Sequence, residues 1–291
     1  MKHAYLIIAH NNFGHLKRLV DTLCKDKQND IYVHLDAKAG TPPEWLININ
    51  CGGGVIPIRI DVRWGDYSGI AAEMALFRET YRHGPYAYYH LLSGVDFPIK
   101  PMSNLRSFFD HNNGKEFVGY VKSFDMERVN EYHFFTRHLK PKGIVAKVYW
   151  KVVRIVADGA ANMFWKRETD KIEMKKGCNW VSITNDFCGY LLSQSRYIRK
   201  RFRHTITCDE VYKQTLLWNS PFKDRIYNVD DEYEGCMRAI DWNRGAPYVW
   251  GQQTVDFDML MKSDKLFARK FDENLSGDLV GELIAEVCKD E

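Results

Sequence analysis

Two short stretches of this chain hold side chains that could move a group off a phosphate carrier. Thr207-Cys208-Asp209-Glu210 sets two carboxylates ahead of an apolar run, where a helix N-terminus is expected. Phe267-Ala268-Arg269-Lys270-Phe271, much further along, sets two cations side by side in a short element. A carboxylate can take the proton of an attacking hydroxyl. A guanidinium offers a planar fork of donors and an ammonium a compact charge, and both suit the oxygens of a departing diphosphate. The two stretches are the halves of a group transfer that needs no metal. Glu210 is the expected base, since a helix N-terminus favours a carboxylate. Asp209 is expected to cap the helix over 211–218.

These groups need a scaffold, and the first hundred residues show its rhythm. A strand is expected over 5–9, ending at His10. Asn11 or Asn12 then caps a helix whose stripe Leu16, Leu19, Val20, Leu23 recurs at helical spacing. A second strand over 31–35 ends at Asp36. Glycines 52–54 mark a turn before a third strand near 55–60. A helix over 68–81 carries Ile70, Met74, Phe77 and Tyr81 on one face. A buried strand over 86–92 leads into Ser93-Gly94-Val95-Asp96, and a helix over 105–111 follows. This alternation predicts an α/β fold, a Rossmann-like and mostly parallel sheet flanked by helices. Such sheets bind ligands at the carboxyl ends of their strands, where His10, Asp36 and Asp96 all fall.

Composition narrows the class. The chain has 291 residues, of which 45% are apolar and 14% aromatic, enough to bury a large core and too many for disorder. A net charge of +3 does not point to nucleic acid. Gly-x-Gly-x-x-Gly and the phosphate loop Gly-x-x-x-x-Gly-Lys-Ser/Thr are both missing, which argues against a dinucleotide enzyme and a P-loop nucleotidase. Seven dispersed cysteines without a Cys-x-x-Cys spacing read as reduced thiols rather than a disulfide framework, and no Cys/His cluster suggests a metal. The opening apolar run is too short to span a membrane and has no leader pattern, so a cytoplasmic location is expected.

Seven motifs, in order, carry a resemblance. They are Ile31-Tyr32-Val33-His34-Leu35-Asp36, Trp64-Gly65-Asp66-Tyr67-Ser68, the run 91–99 through Ser93-Gly94-Val95-Asp96, and Gly177-Cys178-Asn179-Trp180. Asp209-Glu210, Asp241-Trp242 with Gly245-Ala246-Pro247, and the run 266–272 around Arg269-Lys270 complete the set. Together they resemble the core-2/I-branching family, which contains β-1,6-N-acetylglucosaminyltransferases and peptide O-xylosyltransferases. The resemblance implies one GT-A domain over 1–291, with a nucleotide-sugar half over 1–120 and an acceptor and catalytic half over 121–291. It implies an inverting, metal-independent transfer from a UDP-sugar, with no cofactor beyond that donor.

Carried over by position, Asp36 contacts the uridine, and His10 and Trp64 lie beside the nucleotide. Glu210 is the base, and Arg269 and Lys270 hold the diphosphate. Asp96, Asn179, Trp180 and Trp242 lie near the sugar and the acceptor. Arg238 and Arg244, flanking Asp241-Trp242, are reserve cations for the diphosphate. Metal-dependent relatives of this fold place an Asp-x-Asp at the end of a central strand. Here that place offers Asp96 alone, and Asp256-Phe257-Asp258 is expected to cap a helix. Asn179 stands where xylosyltransferases carry an acid, so N-acetylglucosamine is the first-choice donor. UDP-xylose or another UDP-sugar is the alternative, as is a carbohydrate-binding protein that has lost turnover. The animal enzymes are disulfide-bonded and anchored. A chain with neither feature looks like a bacterial relative working on glycans or lipid-linked glycans in surface polysaccharide synthesis.

The segment 137–167 stands apart. It carries Arg137, Lys140, Lys142, Lys147, Lys151, Arg154, Lys166 and Arg167 against one acid, Asp158, with apolar residues at helical spacing between them. Such a helix lies on an anionic membrane surface, or packs its stripe on the domain. Both readings stay open at this level.

Overall fold

The structure is a computed structural model and describes residues 1–165, 167 and 172–290. Its central strands are β1 (His3–Ala9), β2 (Asn29–Leu35), β3 (Gly52–Val55) and β4 (Tyr88–Ser93). β1, β2 and β4 are buried along nearly their whole length, as strands covered on both faces must be. A short pair of later elements, β5 (Asp96–Pro98) and β6 (Ser182–Thr184), is followed by β7 (Arg238–Ile240) and β8 (Phe267–Arg269). The main sheet runs β3-β2-β1-β4-β6, and β5-β8-β7 form a second sheet. β3, β2, β1 and β4 are parallel, and β6 is antiparallel to β4. The expected α/β architecture with a mostly parallel sheet is therefore observed.

Successive strand residues point to opposite faces, and each face has its own core. Tyr5, Ile7, Ile31, Val33 and Leu92 pack under the helices Phe13–Leu23, Met102–His111 and Gly277–Val287. Ala4, Leu6, Tyr32 and Leu91 pack under Ser68–His83, Asn185–Ser193 and Tyr212–Trp218. The parallel register then aligns the carboxyl ends. Ala9 pairs with Leu35 and Ile8 with Ser93, so His10, Asp36 and the 93–96 turn share one edge. Asp36 N–H donates to the Ala9 carbonyl at 2.9 Å and Gly94 N–H to that of Ile8 at 2.8 Å. Gly94 passes so close to β1 that an added Cβ would lie 3.0 Å from that of Ala9.

Local expectations fail in several places. Asn12 precedes the first helix in the left-handed region and makes no side-chain cap. β3 covers 52–55 rather than 55–60, because Pro57 has no N–H to continue the ladder. Tyr81 leaves its stripe and is partly open to solvent in the last turn of its helix. Cys24 and Cys51 form a disulfide, against the expectation of free thiols throughout. Pairing of Asp30 with Gly52 carries Cys51 back beside the end of the first helix, where Cys24 sits 5.3 Å away between Cα atoms. Cys178, Cys188, Cys208, Cys236 and Cys288 remain free. Asp256 opens the helix Asp256–Lys262 without acting as its side-chain cap. Its carboxylate instead ties down the preceding loop, accepting from Gly251 N–H at 2.8 Å and pairing with Arg244 at 2.8 Å. No helix among the described residues is long and apolar enough to cross a membrane.

Candidate active site

A cleft of about 910 Å³ opens at the carboxyl edge of the main sheet. The strand-end group forms one wall: His10 after β1, Asp36 after β2, and Trp64 from the loop leading to the helix Ser68–His83. Asp36 accepts from Lys38 N–H at 2.8 Å, from Lys38 Nζ at 2.9 Å and from Val62 N–H at 3.2 Å. Its carboxylate thus fixes the turn that carries Lys38 into the cleft. Trp64 lies under the Lys140 ammonium, 3.6 Å from the ring centre, so Lys140 closes over that wall.

The rest of the lining comes from later residues. Glu210 ends a 3-10 turn, Cys208–Glu210, ahead of the helix Tyr212–Trp218. The turn is entered through Thr207, whose φ of 46° places a β-branched residue in the left-handed region. Such a conformation costs about 1–3 kcal/mol and persists only where surroundings impose it. Here Thr207 N–H donates to the Gly65 carbonyl at 2.9 Å, pinning the turn to the strand-end wall. Gly177 N–H donates to the Glu210 carbonyl at 2.9 Å, and Gly177 itself must be glycine, since a Cβ would lie 1.8 Å from the Gly119 carbonyl. The Glu210 carboxylate faces the cleft, with its side chain 38% exposed. Lys176 lies 3.3 Å and Arg128 3.6 Å from it.

Asp209 behaves differently from its neighbour. It makes no cap to the following helix. Burial, reinforced by the carboxylates of Glu73 and Glu210, pushes its carboxyl up to about 7. Behind it lies a buried ion pair, Lys213 Nζ to Glu73 at 2.5 Å, with neither side chain reaching solvent. Tyr212 donates to the same Glu73 carboxylate at 2.7 Å, and Lys213 also donates to Asn179 Oδ1 at 2.6 Å. Asn179 is therefore held by a lysine within the wall. A third carboxyl, Glu232, also lines the cleft and is shifted upward by burial.

The expected cations and aromatics separate. Arg269, at the end of β8, lines the cleft with its guanidinium 4.6 Å over the Trp180 ring. It donates to Asp96 at 2.7 Å and to the Ser93 hydroxyl. Asp96 is 1% exposed, and its carboxylate also takes Ser93 N–H and Oγ–H at 2.8 and 2.7 Å. It thus sits beneath Arg269 and orients it, rather than facing a sugar as expected. Trp180, Asn179 and Trp242 line the cleft, whereas Lys270 is not part of its wall. Arg238 is fully buried and bonded to the Cys236 and Val181 carbonyls. Arg244 is committed to Asp241 and Asp256, so neither reserve cation reaches the cleft. Lys38, Lys176 and Arg128 were not foreseen. Lys176 directly precedes the Gly177-Cys178-Asn179-Trp180 motif and Lys38 follows Asp36 by two, so proximity to a motif was the available signal. Among the described residues, no group of three or more His, Cys, Asp or Glu side chains is arranged to hold a metal ion.

Fold and cleft define a mostly parallel α/β protein with a large cleft at the carboxyl edge of its sheet, lined by both charged and aromatic side chains. Residues 3–259 match the Core-2/I-Branching enzyme family model, and the chain belongs to that glycosyltransferase family. It is 23% identical over 277 residues to Xylosyltransferase sqv-6 of Caenorhabditis elegans, covering 86% of this chain and 32% of that protein. The chain thus spans about a third of the length of this curated relative. Among solved structures, S. aureus TarS is matched at a TM-score of 0.28 and 11% identity, over 43% of this chain and 23% of TarS. The apo-form glycosyltransferase GlyE of Streptococcus pneumoniae TIGR4 is matched at 0.28 and 11%, over 100% of this chain and 66% of GlyE. Both scores are too low to carry an argument about function.

Proposed function

We propose that the cleft transfers a sugar from a UDP-sugar to a glycan hydroxyl by one inverting displacement, without a metal. The observation that carries this reading is the meeting of Glu210 and Arg269 in one cleft with His10 and Asp36 at the strand ends. Glu210 accepts the proton of the acceptor hydroxyl as its oxygen bonds to C1 of the donor. The C1–O bond to UDP breaks, UDP leaves with the electron pair, and an α-linked donor becomes a β-glycoside. Arg269, pre-set by Asp96, meets the charge that develops on the diphosphate. Trp180 and Trp242 offer faces for the sugars.

N-acetylglucosamine is the first donor to test. UDP-xylose is the second reading, favoured by the relative that is a xylosyltransferase. The acceptor is a glycan, free or lipid-linked. A panel of UDP-sugars, scored by UDP release with sugar acceptors and with excess EDTA, tests the reading. Acceptor-dependent release with one donor, undiminished by EDTA, supports it. Release that needs added Mn²⁺ or Mg²⁺ overturns the metal-free mechanism, and no release with any donor leaves only a binding protein.

A further inference from the structure

The helix Ile144–Phe164 is the least buried long element of the molecule, with only Ala161 shielded from solvent. Val145, Val148, Val152, Ile155, Val156 and Met163 are 55 to 84% exposed. At 3.6 residues per turn these six fall within an arc of about 100° on the outward side. Phe164 and Trp165 extend the patch past the helix end. Lys151 is exposed about 40° beyond one edge of this arc, and Lys142 is exposed just before the helix; Lys147, also exposed, lies further round, on the side of the helix that carries Asp158. The one acid, Asp158, turns inward, accepting from Phe134 N–H at 2.7 Å and facing His133 at 3.4 Å. Of the other cations expected in this segment, Arg137 pairs with Asp61 and Arg167 turns in to Thr205 and Val129. Lys166 lies outside the described residues.

The inward side is firmly attached. Trp150 stacks on His138 at 3.6 Å, and Asn162 brackets the Tyr132 backbone at 2.7 and 3.0 Å. The same loop reaches the cleft through the Thr136 hydroxyl, which donates to Asp66 at 2.8 Å, and through Lys140 over Trp64. The apolar face is therefore presented outward by a fixed helix, a short distance in sequence from the cleft rim.

We propose that this helix lies in the headgroup region of an anionic lipid bilayer, apolar arc inward to the lipid and Lys142 and Lys151 on the lipid phosphates. An anionic surface is complementary to a face that, among the described residues, carries Lys142 and Lys151 and no acid. The same face of a second copy would bring the same lysines and, among the described residues, no carboxylate to meet them. The helix rests on the bilayer rather than crossing it. The cleft rim at Trp64 and Lys140 is thereby held near the membrane, where a lipid-linked acceptor is presented. The lipid contact rests on the helix alone and not on the chemistry proposed for the cleft.

The test is sedimentation of the full chain with vesicles of phosphatidylcholine mixed with phosphatidylglycerol, against vesicles of phosphatidylcholine alone. The chain sediments with the anionic vesicles and is released by high salt. Val148→Asp with Ile155→Asp, both at exposed positions, weakens binding by about a hundredfold or more, since each buried side chain is worth about tenfold. Lys142→Gln and Lys151→Gln each weaken it about fivefold. Thermal unfolding of each variant confirms that the fold is kept. The proposal is overturned by no binding to anionic vesicles, or by binding that the aspartates leave unchanged. It is equally overturned by a lipid-free dimer that the aspartates dissolve. Absent UDP release with vesicle binding intact would strike the transfer reaction and leave the lipid contact standing.

Discussion

Glu210→Gln is the perturbation the cleft geometry makes cleanest. The Glu210 side chain is partly exposed, and its two cationic neighbours stand at 3.3 and 3.6 Å. Ion pairs of that kind contribute about 0–1 kcal/mol to stability, so the fold survives the change. The backbone carbonyl of residue 210 still accepts from Gly177 N–H, and the turn keeps its place. The loss is confined to the proton acceptor, which is worth about 10²–10⁴ in rate, or about 3–5 kcal/mol of barrier. Turnover should therefore fall by that factor in a UDP-release assay at saturating donor. UDP binding, followed by calorimetry, should hold, because removing a negative charge beside Lys176 does not disfavour a diphosphate. Near-normal turnover in Glu210→Gln would refute the assignment and move the base to Asp209 or Glu232, the nearby carboxyls of the same wall.

Three further outcomes follow from the site. Arg269→Ala should weaken UDP binding at least about tenfold, the worth of one charge-assisted contact, while Lys270→Ala should weaken it less because Lys270 is off the cleft wall. The double variant should lose less than the product of the two, and an unchanged preference for UDP over uridine would place the diphosphate on Lys176 or Lys38 instead. Asp209, pushed up to about 7, is neutral below that pH and anionic above it. The donor KM should therefore rise as pH passes through about 7, and Asp209→Asn should flatten the rise; an identical profile in the variant would exclude Asp209 as its source. Lys213→Met leaves Glu73 buried without its cation and should destabilise the fold by about 3–5 kcal/mol in denaturant unfolding, a loss that Glu73→Gln in the same chain should partly restore.

The strand ends were legible because a parallel sheet writes itself locally. Short buried runs of β-branched and aromatic residues, each closed by a polar residue, mark His10 and Asp36 as strand ends. Glu210, Trp180 and Arg269 were legible as motif members, and the cleft does gather them. What escaped was set by partners distant in sequence. Glu73 reads as one more polar position on an amphipathic helix, yet it is buried because Tyr212 and Lys213 arrive from about 140 residues later. Asp96 reads as a strand-end ligand residue until β8 brings Arg269 over it through the Asp96–Arg269 pairing of the second sheet. The Cys24–Cys51 bond is invisible in the spacing, since only the β2–β3 register brings the two together. Exposure of the helix Ile144–Phe164 is likewise a tertiary fact, because its periodicity fits a packed stripe equally well.

The central claim is a single displacement in the cleft by an oxygen that Glu210 deprotonates. The anomeric proton coupling of the product, read by NMR after transfer from an α-linked UDP-sugar, tests it most directly. A β-linked product, lost in Glu210→Gln, is the predicted result. An α-linked product would contradict the account, since it requires a second displacement or a front-face attack.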